Sequence, residues 1–374
     1  MFKPRLTACT IGPGLVFCFS ILAAGEPAMN SPSSQTIAFP DPPALSWHKS
    51  GETTFCGVLG NLPQLTPPKT DYVKLMGDTA LAFRLRWFQG APGGLARWCP
   101  SSPVGEFSEE VDRAGRSIGW KLDCVCRLGQ PSARMDDQVP RIRSELALGH
   151  AVLGYDERSD VNVIFGYDSA RNVLLSRDYF HGDKTIEIAP AKLQPQLFYF
   201  AKRQSVRDPS ESAKDALQFA VDQWERDGKA EQLKAEPKPQ GWYLYGRRAY
   251  DQWIADIRNA DPARDKELFQ PSWWAYDCLV DARRAAADYL AKVAPDFSET
   301  ARPHLRNAAD LYAAFAKEGA QIFYNMDSFL GPWTGMKIED WTAKVRTCEA
   351  DRLTRLKDLD TKAVDEIRLA LAAK

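Results

Sequence analysis

The chain lacks long hydrophobic runs, a surplus of charge of either sign, and histidine-rich or cysteine-rich ligand patterns. No stretch reaches the about 20 consecutive apolar residues that a membrane-spanning helix needs, so no transmembrane segment is expected. Lysine plus arginine number 48 against 49 acids, and without a basic excess nucleic acid is not an expected partner. The four histidines, His48, His150, His181 and His304, share no ligand spacing with the cysteines. Neither a metal site nor a cofactor is expected.

What is present is an ordinary globular composition, 44% hydrophobic and 26% charged, over 374 residues, which allows two domains. Residues 1–28 differ from the rest. Lys3 and Arg5 precede the apolar run LVFCFSILAA, and Ala23-Ala24-Gly25 offers small residues for cleavage. This pattern predicts a signal peptide and export to the periplasm or the outside; a start at Met29 would instead leave the protein in the cytoplasm. Beyond residue 28 stand Cys56, Cys99, Cys124, Cys126, Cys278 and Cys348, an even number that an oxidising compartment could pair. A bridge from Cys278 to Cys348 and one from Cys99 to the Cys124–Cys126 strand are the pairings considered. The alternative is six reduced thiols packed as small hydrophobes.

Residues 29–45 are rich in Ser, Pro and Ala without a period and read as a linker. Helices are predicted over Phe55–Leu65, Ser108–Gly119 and Val139–Leu148, and a helix or turn at Asp71 leads into the apolar run ALAFRLRWF. The period then changes to two: HAVLGYDE, DVNVIFGYD and NVLLSRDYF read as consecutive antiparallel strands, with LFYFAKR as a fourth. From residue 209 the spacing becomes helical. Helices are predicted over Ser210–Asp227, Trp242–Asn259, Trp273–Val293, Thr300–Phe323 and Ile338–Ala373, with 234–241 a connector between two of them. The fold class is therefore α+β over residues 46–208, followed by an α-helical domain over 209–374.

TTFCGVLGNL, which places Cys56 at a helix start, resembles the cysteine-glycine segment of papain-like peptidases of the bacteriocin-processing type, and SDVNVIFGYDSARNVLLSRDYF resembles a strand pair of the same fold. Residues 46–203, including LMGDTALAFRLRW, also resemble the N-terminal domain of the butirosin-biosynthesis acyltransferase. The resemblance implies a papain-like fold in which Cys56 is the nucleophile, a strand histidine its base and Asp178 the carboxylate that orients that base. The histidine position holds Asp160. A carboxylate there cannot act as an imidazolium, and its charge raises a neighbouring thiol's pKa. The glutamine that helps form the oxyanion hole is also absent, since HKSGETTF offers His48, Ser50 and Glu52 in its place. Among the remaining histidines, His150 opens the strand next to the vacated position and is the best replacement by proximity. His48 lies eight residues before Cys56, and His181 reads as a loop residue.

Eleven tryptophans are many for this length. Trp87, Trp98 and Trp120, with Tyr167 and Tyr179, could line a pocket, although core packing is the commoner use of aromatics. Arg84 and Arg86 alternate with apolar neighbours and share a face, as solvated charges or as a carboxylate-binding pair. These residues define two expectations. The first is a degenerate papain-like domain that binds a small molecule or peptide without catalysis, through Cys56, Arg84, Trp98, Asp160, Tyr167, Asp178 and Tyr179. The rival is a cysteine-dependent acyltransferase or amidohydrolase using Cys56, His150 and Asp178. A third reading makes the helical domain an interaction scaffold.

Overall fold

Strands β4 (Val152–Tyr155), β5 (Val161–Asp168) and β6 (Val173–Arg177) form an antiparallel meander, because their alternating apolar residues bury both faces at once. The computed structural model describes residues 36–38, 42–47, 49–62, 70–90, 100–101, 108–125, 135–155, 160–235, 241–260, 265–324 and 337–373. The signal peptide expected over 1–28 lies outside these ranges, as do His48, Trp98, Cys99 and Cys126. Strand β8 (Gln194–Arg203) flanks β4, β3 (Trp120–Val125) flanks β8, and β7 (Ile186–Ile188) closes the far edge, giving the order β3-β8-β4-β5-β6-β7. Residues 36–38, within the segment read as a linker, form a further strand. This β1 (Thr36–Ala38) pairs with Gly166, Tyr167 and Asp168, continuing the side of β5 that β4 leaves open.

The two sheet faces bury different partners. Val161, Val163, Phe165, Phe198 and Phe200 enter the larger core with α1 (Thr54–Gly60), α2 (Tyr72–Asp78) and α3 (Ser108–Ile118). Ile164, Leu197 and Tyr199 pack against Ile142 and Leu146 of α4 (Met135–Ala147). A bulge between Ile164 and Gly166 resets this alternation. Tyr167 thereby joins the α4 cluster, away from Phe165 and from α1.

The helical region comprises α5 (Pro209–Glu225), α6 (Gly228–Ala235), α7 (Gly246–Arg258), α8 (Asp265–Val293), α9 (Arg302–Tyr324) and α10 (Ala343–Ala372). The helix expected from Trp242 begins four residues later. Residues 241–245 instead form β9 (Gly241–Tyr245), paired with β2 (Arg86–Gly90) in a second, two-stranded sheet. Gly246 makes that switch possible: its φ of +49° suits glycine, and an added Cβ would lie 2.6 Å from the Trp224 backbone. Part of the 234–241 connector belongs to α6, and residues 236–240 lie outside the described residues.

Helix α8 ties the sheet half to the helices. Its alanines 282, 285 and 286 belong to the same core as Cys56 and Phe83. Fully buried Arg283 donates to Asp360 of α10 at 2.6 Å and to the carbonyl of Ala82 at 2.8 Å. Among the described residues no helix is long and apolar enough to cross a membrane.

Candidate functional site

Cys56 occupies the first turn of α1, where the helix N-terminus favours a thiolate. Burial overrides that preference. The side chain is 0% exposed, and desolvation pushes the thiol pKa up to about 12, against the lowering effects of the contact with Thr79 and the charge of Arg84. Its sulfur lies 4.0 Å from Thr79 Oγ1. The carboxylates of Glu110 and Asp281 push the pKa the same way as burial.

The backbone N–H groups just before α1 are already engaged. Asp281 of α8 accepts from the Glu52 N–H at 3.2 Å and from the Tyr72 hydroxyl at 2.6 Å, while that hydroxyl accepts from the Thr53 N–H at 3.1 Å. Preorganised N–H donors beside a nucleophile stabilise an oxyanion when they face substrate. Here a carboxylate stands in that position. Burial, with the charge of Asp281 second, holds the Tyr72 hydroxyl well above the usual phenol range, so it remains a neutral donor.

Asp160 accepts from the Thr54 hydroxyl at 2.5 Å and from the Val161 N–H at 2.7 Å, both on Oδ1. It is 3% exposed and joins β5 to α1. Asp178 does orient an imidazole, but that of His181: His181 Nδ1 lies 2.9 Å from Asp178 Oδ1, which also accepts the His181 N–H at 2.8 Å. His150 pairs with Glu145 at 2.9 Å and meets the Trp120 ring edge-on. Tyr179 sends its hydroxyl to the Ser50 carbonyl at 3.2 Å, filling the space a Cβ on Gly57 would need. Tyr167 donates to Asn172 on the α4 side of the sheet. The structure thus gathers Cys56, Asp160 and Tyr179 around α1, and places Tyr167 and His150 elsewhere; Trp98 lies outside the described residues.

Beside this closed cluster lies a narrow, partly open pocket with a free volume of about 20 Å³, room for a water or two. Arg84 and Arg86 line it, and no acidic side chain does so among the described residues. Both arginines, expected as solvated charges or as a carboxylate-binding pair, are 8% and 5% exposed. Phe83, Leu85 and Trp87 are buried as well, so the whole run is interior. Arg84 donates to Glu110 at 2.8 Å and to the Pro100 carbonyl at 2.6 Å, and the Arg86 guanidinium lies 4.9 Å from the Tyr243 ring centroid. The opposite wall is a stripe of α8: Ala275, Cys278, Leu279 and Ala282, at helical spacing. Thr53 closes the end nearest α1.

Sequence reasoning missed Asp281, Tyr72 and Cys278. The one available signal was the i, i+3, i+4, i+7 recurrence of small or apolar residues from Ala275 to Ala282. The Cys278–Cys348 bridge is not formed: Cys278 is a buried thiol donating to the Glu52 carbonyl, Cys348 is an exposed thiol, and Cys124 is a half-buried one. Trp87 stacks on Trp253 at 5.0 Å and donates to Asp256, and Trp120 packs on Phe200; both are core residues. No protein-family model and no curated protein matches this chain.

Proposed function

We propose that this chain binds a small molecule without catalysis, through a papain-like domain that has lost its catalytic histidine. The ligand is taken in the pocket between Arg84, Arg86 and α8. The carrying observation is that a small, partly open gap persists between Arg84, Arg86 and α8 while the adjoining nucleophile position is filled. Cys56 is fully buried, and Asp281 holds the Glu52 N–H. The antiparallel sheet and the placement of Cys56 on a helix against β5 support the papain-like reading. The cysteine-dependent rival loses support from a desolvated thiol whose one side-chain hydrogen-bond partner among the described residues is Thr79, and from a His150 whose Nδ1 is engaged by Glu145.

The test is a fragment screen by ligand-observed NMR on the full chain, comparing wild type with Ala275→Leu, which extends a side chain into the pocket. Fragments that bind wild type and are lost on the variant support the reading. Binding unaffected by the variant, or Cys56-dependent turnover of an acyl thioester, contradicts it.

A further inference from the structure

Trp341 and Glu349 form a buried pair in the helical region. Trp341 follows the 3-10 turn Ile338–Asp340 and stands two residues before α10, and Glu349 lies on the second turn of that helix. The indole is fully buried, and its ring meets Phe269 of α8 at 5.7 Å. Its N–H donates to Glu349 Oε2 at 2.8 Å. Glu349 is buried too, and its Oε1 has no hydrogen-bond partner among the described residues. A buried carboxylate is tolerated where a cation or several donors hold it, and a single indole N–H is a weak substitute.

The charged and titratable groups around the carboxyl do not change that balance. Arg346 and Arg352 of α10 favour its ionised form through their charge, but Arg346 donates to the Trp341 carbonyl at 2.9 Å. Tyr276 of α8 donates its hydroxyl to the Gly319 carbonyl at 3.1 Å, Glu318 of α9 pairs with Arg355, and Arg258 of α7 pairs with Asp351. Burial outweighs the lowering effects of the Trp341 hydrogen bond and the two arginines, and holds the Glu349 carboxyl well above the usual carboxylate range. A neutral carboxyl can still accept the indole N–H through its carbonyl oxygen. Once ionised, the group is relieved by turning outward to water, which withdraws the acceptor from Trp341.

We propose that Glu349 is a pH-dependent latch: as a neutral acid it holds Trp341 and the turn before it against α8, and as a carboxylate it releases them. The inference is independent of the binding reading above. Its sign follows from burial. The folded chain keeps a proton that the unfolded chain sheds above the ordinary 4.5, so the hold is complete below that pH and is lost as pH rises through the raised value.

The test follows the tryptophan indole N–H signals of the full chain by two-dimensional NMR from pH 5 to 9, with the Trp341 signal assigned through its backbone neighbours in isotope-labelled wild type. The proposal expects this signal to move in one titration step and to lose its hydrogen-bonded shift at the upper end. In Glu349→Gln, whose amide oxygen still accepts but carries no titrating proton, the signal should stay in place. Below the step, the unfolding constant of wild type in urea should rise about tenfold per pH unit relative to that variant. A Trp341 signal that stays fixed in wild type from pH 5 to 9 overturns the latch. A step that persists in Glu349→Gln belongs to another group and overturns it as well. A step after which the indole keeps its hydrogen-bonded shift means that the carboxylate is held in place, and overturns the release. The first and third outcomes are read on wild type alone, so the proposal stays open to refutation even if Glu349→Gln does not fold.

Discussion

The surroundings of Cys56 and of Arg86 lie side by side against α8, yet one is packed shut and the other is open. The difference follows from which α8 residues face each place. Toward α1 the helix sends Asp281, whose carboxylate reaches the Glu52 N–H and the Tyr72 hydroxyl. Toward Arg84 and Arg86 it sends Ala275, Cys278 and Ala282, which are too short to fill the gap. A site is closed or kept by the reach of side chains on one helix. The polar groups themselves are buried in both places.

The largest effect on this comparison should come from loosening α8. Replacing Arg283 with methionine leaves Asp360 buried without its cation, and should cost about 3–5 kcal/mol in urea unfolding. A loss under about 1 kcal/mol would mean that the ion pair does not anchor the helix. Next comes the closed side. Gly57→Ala would bring a Cβ to 2.3 Å from the Ser50 carbonyl as well as onto the Tyr179 hydroxyl, and should destabilise by about 1–3 kcal/mol.

The buried thiol supplies a pH test. Its pKa rises from the ordinary 9.0 to about 12 on folding, so the native state keeps a proton that the unfolded state sheds. This stabilising contribution is complete below pH 9 and is lost as pH climbs toward 12. Relative to Cys56→Ala, wild type should therefore lose about 1.4 kcal/mol per pH unit within that window. Parallel stability curves for the two proteins would place the thiol in water. The smallest effect belongs to the gap: Ala275→Leu adds three carbons where about 20 Å³ is free, and should cost about 1 kcal/mol, at the low end for overpacking. A loss like that of Gly57→Ala would erase the contrast.

Much of the sheet was legible because its strands alternate. HAVLGYDE, DVNVIFGYD and NVLLSRDYF pair as neighbours in chain order, and LFYFAKR lies beside the first of them. The features that escaped depend on distant partners. Trp242 to Tyr245 carry aromatic spacing compatible with a helix, and become a strand because Arg86–Gly90 is there to pair with them. Tyr167 changes face at a bulge that no residue type announces. Asp178 was expected to orient the base of Cys56; it pairs instead with His181, three residues on, at a turn its own carboxylate caps. Arg84 was named as a ligand-binding residue from its alternation with apolar neighbours. Its burial, and the pocket it borders, depend on α8 about 190 residues later.

The central claim is that the cysteine position is closed, and site-resolved alkylation tests it directly. The native full chain is treated with iodoacetamide between pH 5 and 9, and each cysteine is followed by peptide mass spectrometry. The account predicts that exposed Cys348 is labelled at the rate of a solvent-accessible thiol, whereas Cys56 is modified only once denaturant unfolds the chain. Labelling of native Cys56 as fast as Cys348 at pH 6 would contradict it, and would return Cys56 to the role of a nucleophile.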